Sequence, residues 1–392
     1  HCVPGTPLIA ETGGLNAMVV DSTALPEHAV RDILQSAFQS AGQRCSALRC
    51  LYVQEDIADG LLKMLKGAMD ELAAGDPWQL ATDIGPVIDA TAYKGIADHI
   101  AQARADGRIL HELATPSSGH FIAPTVIRVN GINDMTREIF GPVLHVATYK
   151  ARDLDSVIAA INATGYGLTF GLHTRIDDRV QQVVEQINAG NIYVNRNQIG
   201  AVVGSQPFGG EGLSGTGPKA GGPFYLVRFR GEDTQRGSNW DGPDDMAEIA
   251  KRLADAPAGT GAPTRDLPGP TGESNRLSAY PRGPVLCLGP GASAVSAQAK
   301  AVQAAGGTAV KAKGHIKPEA LATLAPLAAV VWWGDADTGR AIEQTLAKRD
   351  GAILPLITST PDAANVLHER QTCIDTTAAG GNAALLAEVA GM

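Results

Sequence analysis

The sequence predicts an α/β protein with two successive layers of alternating strand and helix. Three observations support this. Short apolar runs alternate with helical patterns from residue 16 to about residue 229. The stretch 231–283 is then rich in Gly, Pro, Asp and Ser, a composition that favours turns and extended chain. A second, shorter alternation follows and reads as a smaller, doubly wound, Rossmann-like domain.

The elements follow in chain order. Ala17-Met18-Val19-Val20 reads as a buried strand. Residues 26–39 read as a helix opened by Pro26 and closed before Gly42, the usual placing of those two residues. Residues 48–53 form a second strand. In 57–72, Ile57, Leu61, Leu62, Met64, Leu65 and Met69 recur near the helical period. Strands at 141–149 and 167–172 flank a helix at 154–162, and a helix at 180–187 precedes the strand 192–194. Within 231–282 only residues 246–253 look helical, so the rest reads as a linker wrapping a surface. Beyond it, strands at 285–288, 308–311, 327–333 and 352–358 alternate with helices at 294–305 and 338–346. The expected domains are therefore 1–230, ending in a strand of the kind used for oligomerisation near 224–229, a linker at 231–282, a Rossmann-like domain at 283–369, and a C-terminal motif at 370–392.

Composition excludes several classes of function. Of 392 residues, 44% are hydrophobic and 19% charged, so a packed core is expected rather than disorder. The net charge of −9 argues against nucleic-acid binding. Five cysteines, at 2, 45, 50, 287 and 373, include no C-x-x-C, which argues against a disulfide scaffold or a zinc ribbon and for a reduced, cytoplasmic setting. His111, His120, His145 and His173 form no i, i+4 pair, so no metal site is expected. No apolar run is long enough for a transmembrane segment. The opening His1-Cys2-Val3-Pro4-Gly5 reads like the middle of a protein, either processed or a fragment.

Chemistry concentrates in Glu11-Thr12-Gly13-Gly14 and Gly42-Gln43-Arg44-Cys45-Ser46. A thiolate is the best side-chain nucleophile near neutral pH. Cys45 lies in a Gly-containing loop, whereas Cys50 sits among Leu48, Leu51, Tyr52 and Val53 and reads as core. By spacing alone, Cys45 also fits an inert core position, and Glu11 fits a capping acid.

Four segments, in order, carry a resemblance: Glu11-x-Gly13-Gly14, Gly42-Gln43-x-Cys45, Glu138-Ile139-Phe140-Gly141-Pro142, and Pro207-Phe208-Gly209-Gly210-x-x-x-Ser214-Gly215. Together they resemble the successive motifs of the aldehyde dehydrogenase superfamily. Gly200-Ala201-Val202-Val203-Gly204 and Ser214-Gly215-Thr216-Gly217-Pro218-Lys219 are similar to the L-glutamate-γ-semialdehyde (1-pyrroline-5-carboxylate) dehydrogenase branch. That branch includes the dehydrogenase half of the bifunctional proline utilization A family, whose C-terminal motif resembles Asp375 to Asn382 here.

The resemblance implies an aldehyde dehydrogenase catalytic domain over 1–230, followed by the smaller Rossmann-like domain. It implies NAD-dependent oxidation of L-glutamate γ-semialdehyde to glutamate in proline catabolism. Cys45 would be the nucleophile and Glu11 the base that activates water. Glu138 would accept hydrogen bonds from the nicotinamide ribose, and Phe140 would pack near the nicotinamide. Ser46 and the backbone of Gly200 and Ala201 would hold the substrate carboxylate, with Phe208 as an aromatic wall. FAD would belong only to a proline dehydrogenase half, which these residues do not include. The implied partners are the small-molecule aldehyde, an N-terminal part of the same polypeptide and further copies in a homo-oligomer. The implied setting is cytoplasmic, with peripheral membrane association of the larger relatives. Residues 1–392 alone are expected to be inactive, because the segments that hold most of NAD, and an Asn oxyanion donor, precede the Glu11 motif in the family. Gly212 stands where many relatives carry Lys. The alternative is a non-catalytic module for oligomerisation or for sealing a substrate tunnel.

In the second domain, Gly289-Pro290-Gly291-Ala292-Ser293-Ala294 fits a G-x-G-x-x-A turn. The next strand ends at Lys311-Ala312-Lys313 without the acid that would hold a ribose. This domain is therefore expected not to bind NAD, and Trp332-Trp333 to cover an interface.

Overall fold

The computed structural model describes residues 3–229, 240 and 242–377. Its helices are α1 Pro26–Phe38, α2 Glu55–Asp70, α3 Ala90–Ala105, α4 Leu154–Ala163, α5 Asp177–Gln186, α6 Met246–Ala254, α7 Gly291–Ala304, α8 Ala336–Leu346 and α9 Ala363–Val366. Its strands run β1 Ala17–Val20, β2 Cys50–Gln54, β3 Ile109–Glu112, β4 Thr125–Arg128, β5 Val143–Tyr149, β6 Tyr166–Gly167, β7 Thr169–His173, β8 Asn191–Val194 and β9 Glu211–Gly212. They continue with β10 Ala262–Leu267, β11 Glu273–Pro281, β12 Pro284–Cys287, β13 Thr308–Lys311, β14 Ala329–Val331, β15 Leu356–Ile357 and β16 Leu367–Asp375. The elements fall into two units. One comprises Gly13–Gln206, Leu267–Asn275 and residues from 372 onward. The other comprises residues up to 12, Pro207–Asp266 and Arg276–Gln371.

In the Gly13–Gln206 unit the strand order is β8-β7-β1-β2-β5-β4-β3. All these pairs are parallel except β3–β4. Parallel strands need both faces covered, and the side-chain alternation meets that need. Met18 and Val20 of β1, with Leu51 and Val53 of β2, join a core with Ile33, Leu65 and Ile100 from α1, α2 and α3. The intervening Ala17, Val19, Cys50 and Tyr52 pack on the opposite face with Val157, Ile158, Ile161 and Val183 of α4 and α5. Helix α3 was not read from the sequence. Only Ile96, Ile100 and Ala103 of its residues are buried, but Asp89 caps it by accepting a hydrogen bond from the Ala92 N–H at 2.7 Å.

The other unit contains the parallel sheet β13-β12-β14-β15. Helix α7 lies against one face through Val295, Ala299 and Val302, while Ile342 and Leu346 of α8 join the core on the other. This is the doubly wound arrangement expected from the sequence. Strands β10, β11 and β16 are sheet neighbours in that order.

Three expectations differ from the structure. The stretch read as a linker carries two strands, β10 and β11, besides α6. The tail expected at 370–392 begins inside strand β16, and residues 231–239 and 241 of the linker and 378–392 of the tail lie outside the described residues. The segment expected as a terminal strand is a 3₁₀ turn at Leu226–Phe229. Its backbone bonds are local: Tyr225 N–H donates to Gly222 and Arg228 N–H to Tyr225. Leu226 and Phe229 are 75% and 65% exposed, so no burial favours an extended form over the turn set by Gly221, Gly222 and Pro223.

Candidate functional site

Cys45 sits on the loop between α1 and β2. The chain leaves α1 through three consecutive left-handed residues, Ser40 (φ 57°), Ala41 (φ 53°) and Gly42 (φ 64°). For Ser40 and Ala41 this conformation costs roughly 1–2 kcal/mol each. At position 42 only Gly fits, because a Cβ would lie 2.2 Å from the Gly141 carbonyl oxygen. The Gln43 side chain then clamps the loop: its Oε1 accepts from the Ile88 N–H at 2.8 Å, and its Nε2 donates to the Pro86 carbonyl at 3.2 Å. Asn16 Nδ2 donates to the carbonyls of Cys45 (2.6 Å) and Ala47 (2.9 Å). The loop is thus held on both sides of Cys45, whose side chain is half-buried. Cys50 is fully buried on β2, and loss of solvation raises its thiol pKa. The contrast expected between the two cysteines is present.

Glu138 and Phe140 lie on the segment entering β5. Glu138 Oε1 pairs with the Arg49 guanidinium (Nη2 3.1 Å, Nε 3.3 Å), and its Oε2 accepts from the Gly14 N–H at 3.2 Å. Gly13, at φ 126°, leaves room for this carboxylate, since a Cβ there would lie 2.8 Å from Oε2. The Glu138 side chain is 16% exposed and Phe140 is 44% exposed. Burial lowers the Arg49 pKa, while the charges of Glu138 and Cys45 push it back up. Gly13-Gly14, Cys45 and Glu138 all precede the neighbouring parallel strands β1, β2 and β5. They therefore gather at the N-terminal edge of that sheet, not at the C-terminal edge where open α/β sheets usually bind ligands.

Ser46 is buried, and its carbonyl accepts from Thr169 Oγ1 (3.1 Å) and Gln198 Nε2 (3.3 Å). Gln198 thereby brings the loop carrying Gly200 and Ala201 to the cysteine loop. Gly200 adopts φ 71° and is exposed, and Ala201 is half-buried.

Glu11 and Phe208 belong to the other unit. Glu11 keeps access to solvent, and its Oε2 accepts from the Gly210 N–H at 3.0 Å. Crowding by the protein partly desolvates the carboxyl and raises its pKa, against the opposing pulls of the Gly210 N–H and the Lys219 ammonium. Positions 209 and 215 are both Gly, and a Cβ on either would come within 3.0 Å of Glu11 Oε1. Lys219 is fully buried, donates from Nζ to the Gly209 carbonyl, and has its pKa lowered to about 8 by burial. Phe208 is half-buried and pairs with Ala220 in an isolated antiparallel bridge.

Sequence reasoning missed Asn16, Arg49 and Lys219. Asn16 was discoverable, as a polar residue directly before an apolar strand. The burial of Arg49 and Lys219 depends on partners distant in sequence. Among the described residues, no group of three His, Cys, Asp or Glu is placed to hold a metal, and no helix is long and apolar enough to cross a membrane.

Comparisons with known proteins place the chain beside several relatives. The aldehyde dehydrogenase family model matches residues 3–230. The bifunctional protein PutA of Salmonella typhimurium is 43% identical over 97% of this chain, which spans only 33% of that protein. A crystal structure of bifunctional proline utilization A is 55% identical over 57% of this chain and 23% of its own, with a TM-score of 0.55. A 1-pyrroline-5-carboxylate dehydrogenase from Thermus with bound NAD is 34% identical over 56% of this chain and 43% of its own, with a TM-score of 0.53.

Proposed function

We propose a function from the premise that this chain belongs to the aldehyde dehydrogenase family: NAD-dependent oxidation of L-glutamate γ-semialdehyde to glutamate in proline catabolism. The observation that carries it is the half-buried Cys45 on a loop held by Asn16 and Gln43 and tied through Arg49 to the Glu138 carboxylate, two residues before an exposed Phe140. The substrate follows from the likeness to proteins named PutA and 1-pyrroline-5-carboxylate dehydrogenase. Residues 1–230 are read as the catalytic domain, 283–369 as a Rossmann-like domain joined through 231–282, and 370–392 as a C-terminal motif.

The residues present fit the nicotinamide end of NAD. Glu138 offers a partly exposed carboxylate to ribose hydroxyls, and Phe140 offers an aromatic surface to the ring. When bound, NAD supplies the acceptor for the hydride that leaves the substrate carbon.

In this reading the Cys45 thiolate adds to the aldehyde carbon, giving a thiohemiacetal oxyanion. The Cys45 backbone N–H contributes to holding that charge. Collapse of the oxyanion with loss of hydride leaves a thioester on Cys45. Glu11 takes a proton from the attacking water, which cleaves the thioester to glutamate and regenerates the thiol. Partial burial raises its pKa, which makes its carboxylate a stronger base toward that water. Ser46 and the backbone of Gly200 and Ala201 orient the substrate carboxylate, and Phe208 flanks its aliphatic part.

The test is NADH formation by the whole natural polypeptide, with Ala201→Phe alongside the wild type. The variant is expected to lose at least about tenfold in kcat/KM for glutamate semialdehyde, more than for an aldehyde lacking the carboxylate. Equal losses for both would remove the 200–201 loop from substrate recognition. No turnover by the wild type would overturn the function.

A further inference from the structure

We propose that Arg49 is a positioning residue that locks the Cys45 loop to the Glu138 carboxylate and so couples the cofactor side of the site to the nucleophile. This rests on the roles of Cys45 and Glu138 proposed above. The Arg49 side chain is fully buried, at 0% exposure, and all five of its N–H donors are used. Nη1 donates to the carbonyls of Gly42 (2.7 Å) and Gly141 (3.3 Å). Nη2 donates to the Arg44 carbonyl (3.1 Å) and to Glu138 Oε1 (3.1 Å), and Nε donates to the same Oε1 (3.3 Å). Its Cζ lies 5.1 Å from the centre of the Phe140 ring.

Two of those acceptors, Gly42 and Arg44, belong to the turn that presents Cys45. The others, Glu138 and Gly141, flank Phe140 on the segment entering β5. One rigid fork therefore fixes the nucleophile loop and the cofactor segment relative to each other. Lysine, with three donors on a flexible stem, cannot span this set.

The backbone that carries the fork is itself hydrogen-bonded on both sides. The Arg49 N–H donates to the Asn16 carbonyl at 3.0 Å, and the Arg49 carbonyl accepts from the His145 N–H at 2.9 Å and lies 3.0 Å from His145 Nδ1. His145 in turn meets His99 of α3 at 2.9 Å. Burial lowers the His145 pKa to about 4 and lowers that of His99, so both are neutral at pH 7. Arg44, on the cysteine loop, is half-buried and bonded to Ser40 through Nε. Arg49 is thus a fully buried cation within electrostatic reach of Cys45, with Glu138 as its counter-charge. A fixed cation beside a thiol favours the thiolate. A ligand that draws on Glu138 changes the charge balance that the thiol feels.

The experiment measures the rate of Cys45 alkylation by iodoacetamide against pH, read by peptide mass spectrometry on the whole polypeptide with and without NAD. The proteins are wild type, Arg49→Lys, Arg49→Gln and Glu138→Gln. In Arg49→Gln the alkylation midpoint is expected to rise by about one pH unit, with a smaller rise in Arg49→Lys. Glu138→Gln is expected to lower it. NAD should change the alkylation rate in wild type and not in the Arg49 variants. KM for NAD should rise more than kcat falls in Arg49→Lys. Folding of each variant is checked by near-ultraviolet circular dichroism, and if Arg49→Gln does not fold, Arg49→Lys and Glu138→Gln decide. Wild-type midpoints and a wild-type response to NAD in the folded variants would overturn the proposal. Shifted midpoints in a protein that never oxidises glutamate semialdehyde would leave the role of Arg49 standing and sink the proposed function instead.

Discussion

The two parallel sheets are built alike and present different groups at the turns beside them. In the larger, the segments entering β1, β2 and β5 present Gly13-Gly14, Cys45 and Glu138, and Glu138 and Phe140 keep solvent-accessible surface. In the smaller, the turn leaving β12 matches a dinucleotide fingerprint, and the backbone groups of its first glycine are already bonded within the chain. Gln298 of α7 accepts from the Gly289 N–H and donates to the Gly289 carbonyl, both at 2.9 Å. The Trp333 N–H also donates to that carbonyl, and Trp240 Nε1 bonds the Leu288 carbonyl. A glycine-rich turn binds phosphate through N–H groups left unfilled. Here a glutamine on the same helix takes the Gly289 N–H, and Lys311 stands at the end of the next strand.

The largest predicted effect separates the cysteines on either side of that larger sheet's edge. Cys45→Ala should lower turnover by on the order of 10⁴-fold or more, while Cys50→Ala keeps most of it, as steady-state NADH formation will report. Comparable losses in both would mean that loop position does not distinguish them.

Acid comes next. His145 and His173 have pKa values lowered to about 4, and His368, in the unit with the small sheet, to about 3, all by burial. A buried neutral imidazole binds its proton more weakly in the folded chain than in the unfolded one. The unfolded state therefore takes up more protons as pH falls below about 6.5, and stability drops from there down to the folded pKa, by roughly 3 kcal/mol for each fully buried ring. Hydrogen exchange at pH 7 and pH 5 should show both units losing protection. Undiminished protection at pH 5 would mean these rings are not held neutral.

Gly42→Ala should destabilise by about 2–4 kcal/mol, since it adds a clash with the Gly141 carbonyl to a left-handed φ. A denaturant midpoint equal to wild type would contradict the geometry of the cysteine loop. The smallest effect sharpens the contrast between the sheets. Glu138→Gln should raise KM for NAD by roughly tenfold, about 1.4 kcal/mol. Lys311→Asp, which supplies the small sheet with the missing acid, should leave it within about twofold, because Gln298 still bonds the Gly289 N–H.

Much of this fold was legible where burial is encoded locally. β1, β2 and β13 announce themselves as apolar runs, and α1 by its proline and following glycine. Strand β10 was hidden because four of its six residues are exposed and a proline lies within it; it is held by its neighbour rather than by its own apolar content. Helix α3 was hidden by alanines and Gly95, which dilute its stripe. For the candidate site, Glu11, Cys45 and Glu138 could be named because motifs carry them. Arg49 could not, since an arginine opening a strand reads as surface, and its burial depends on Glu138, 89 residues away.

The central claim is that Cys45 carries the acyl group and Glu11 drives its removal. The most direct measurement is a rapid-mixing experiment on Glu11→Gln in the whole polypeptide, with glutamate semialdehyde and NAD, following NADH and then mapping adducts by mass spectrometry. The account predicts a burst of about one NADH per site, a stall, and a glutamyl adduct on Cys45. Steady turnover at the wild-type rate, or an adduct on any other cysteine, would contradict it.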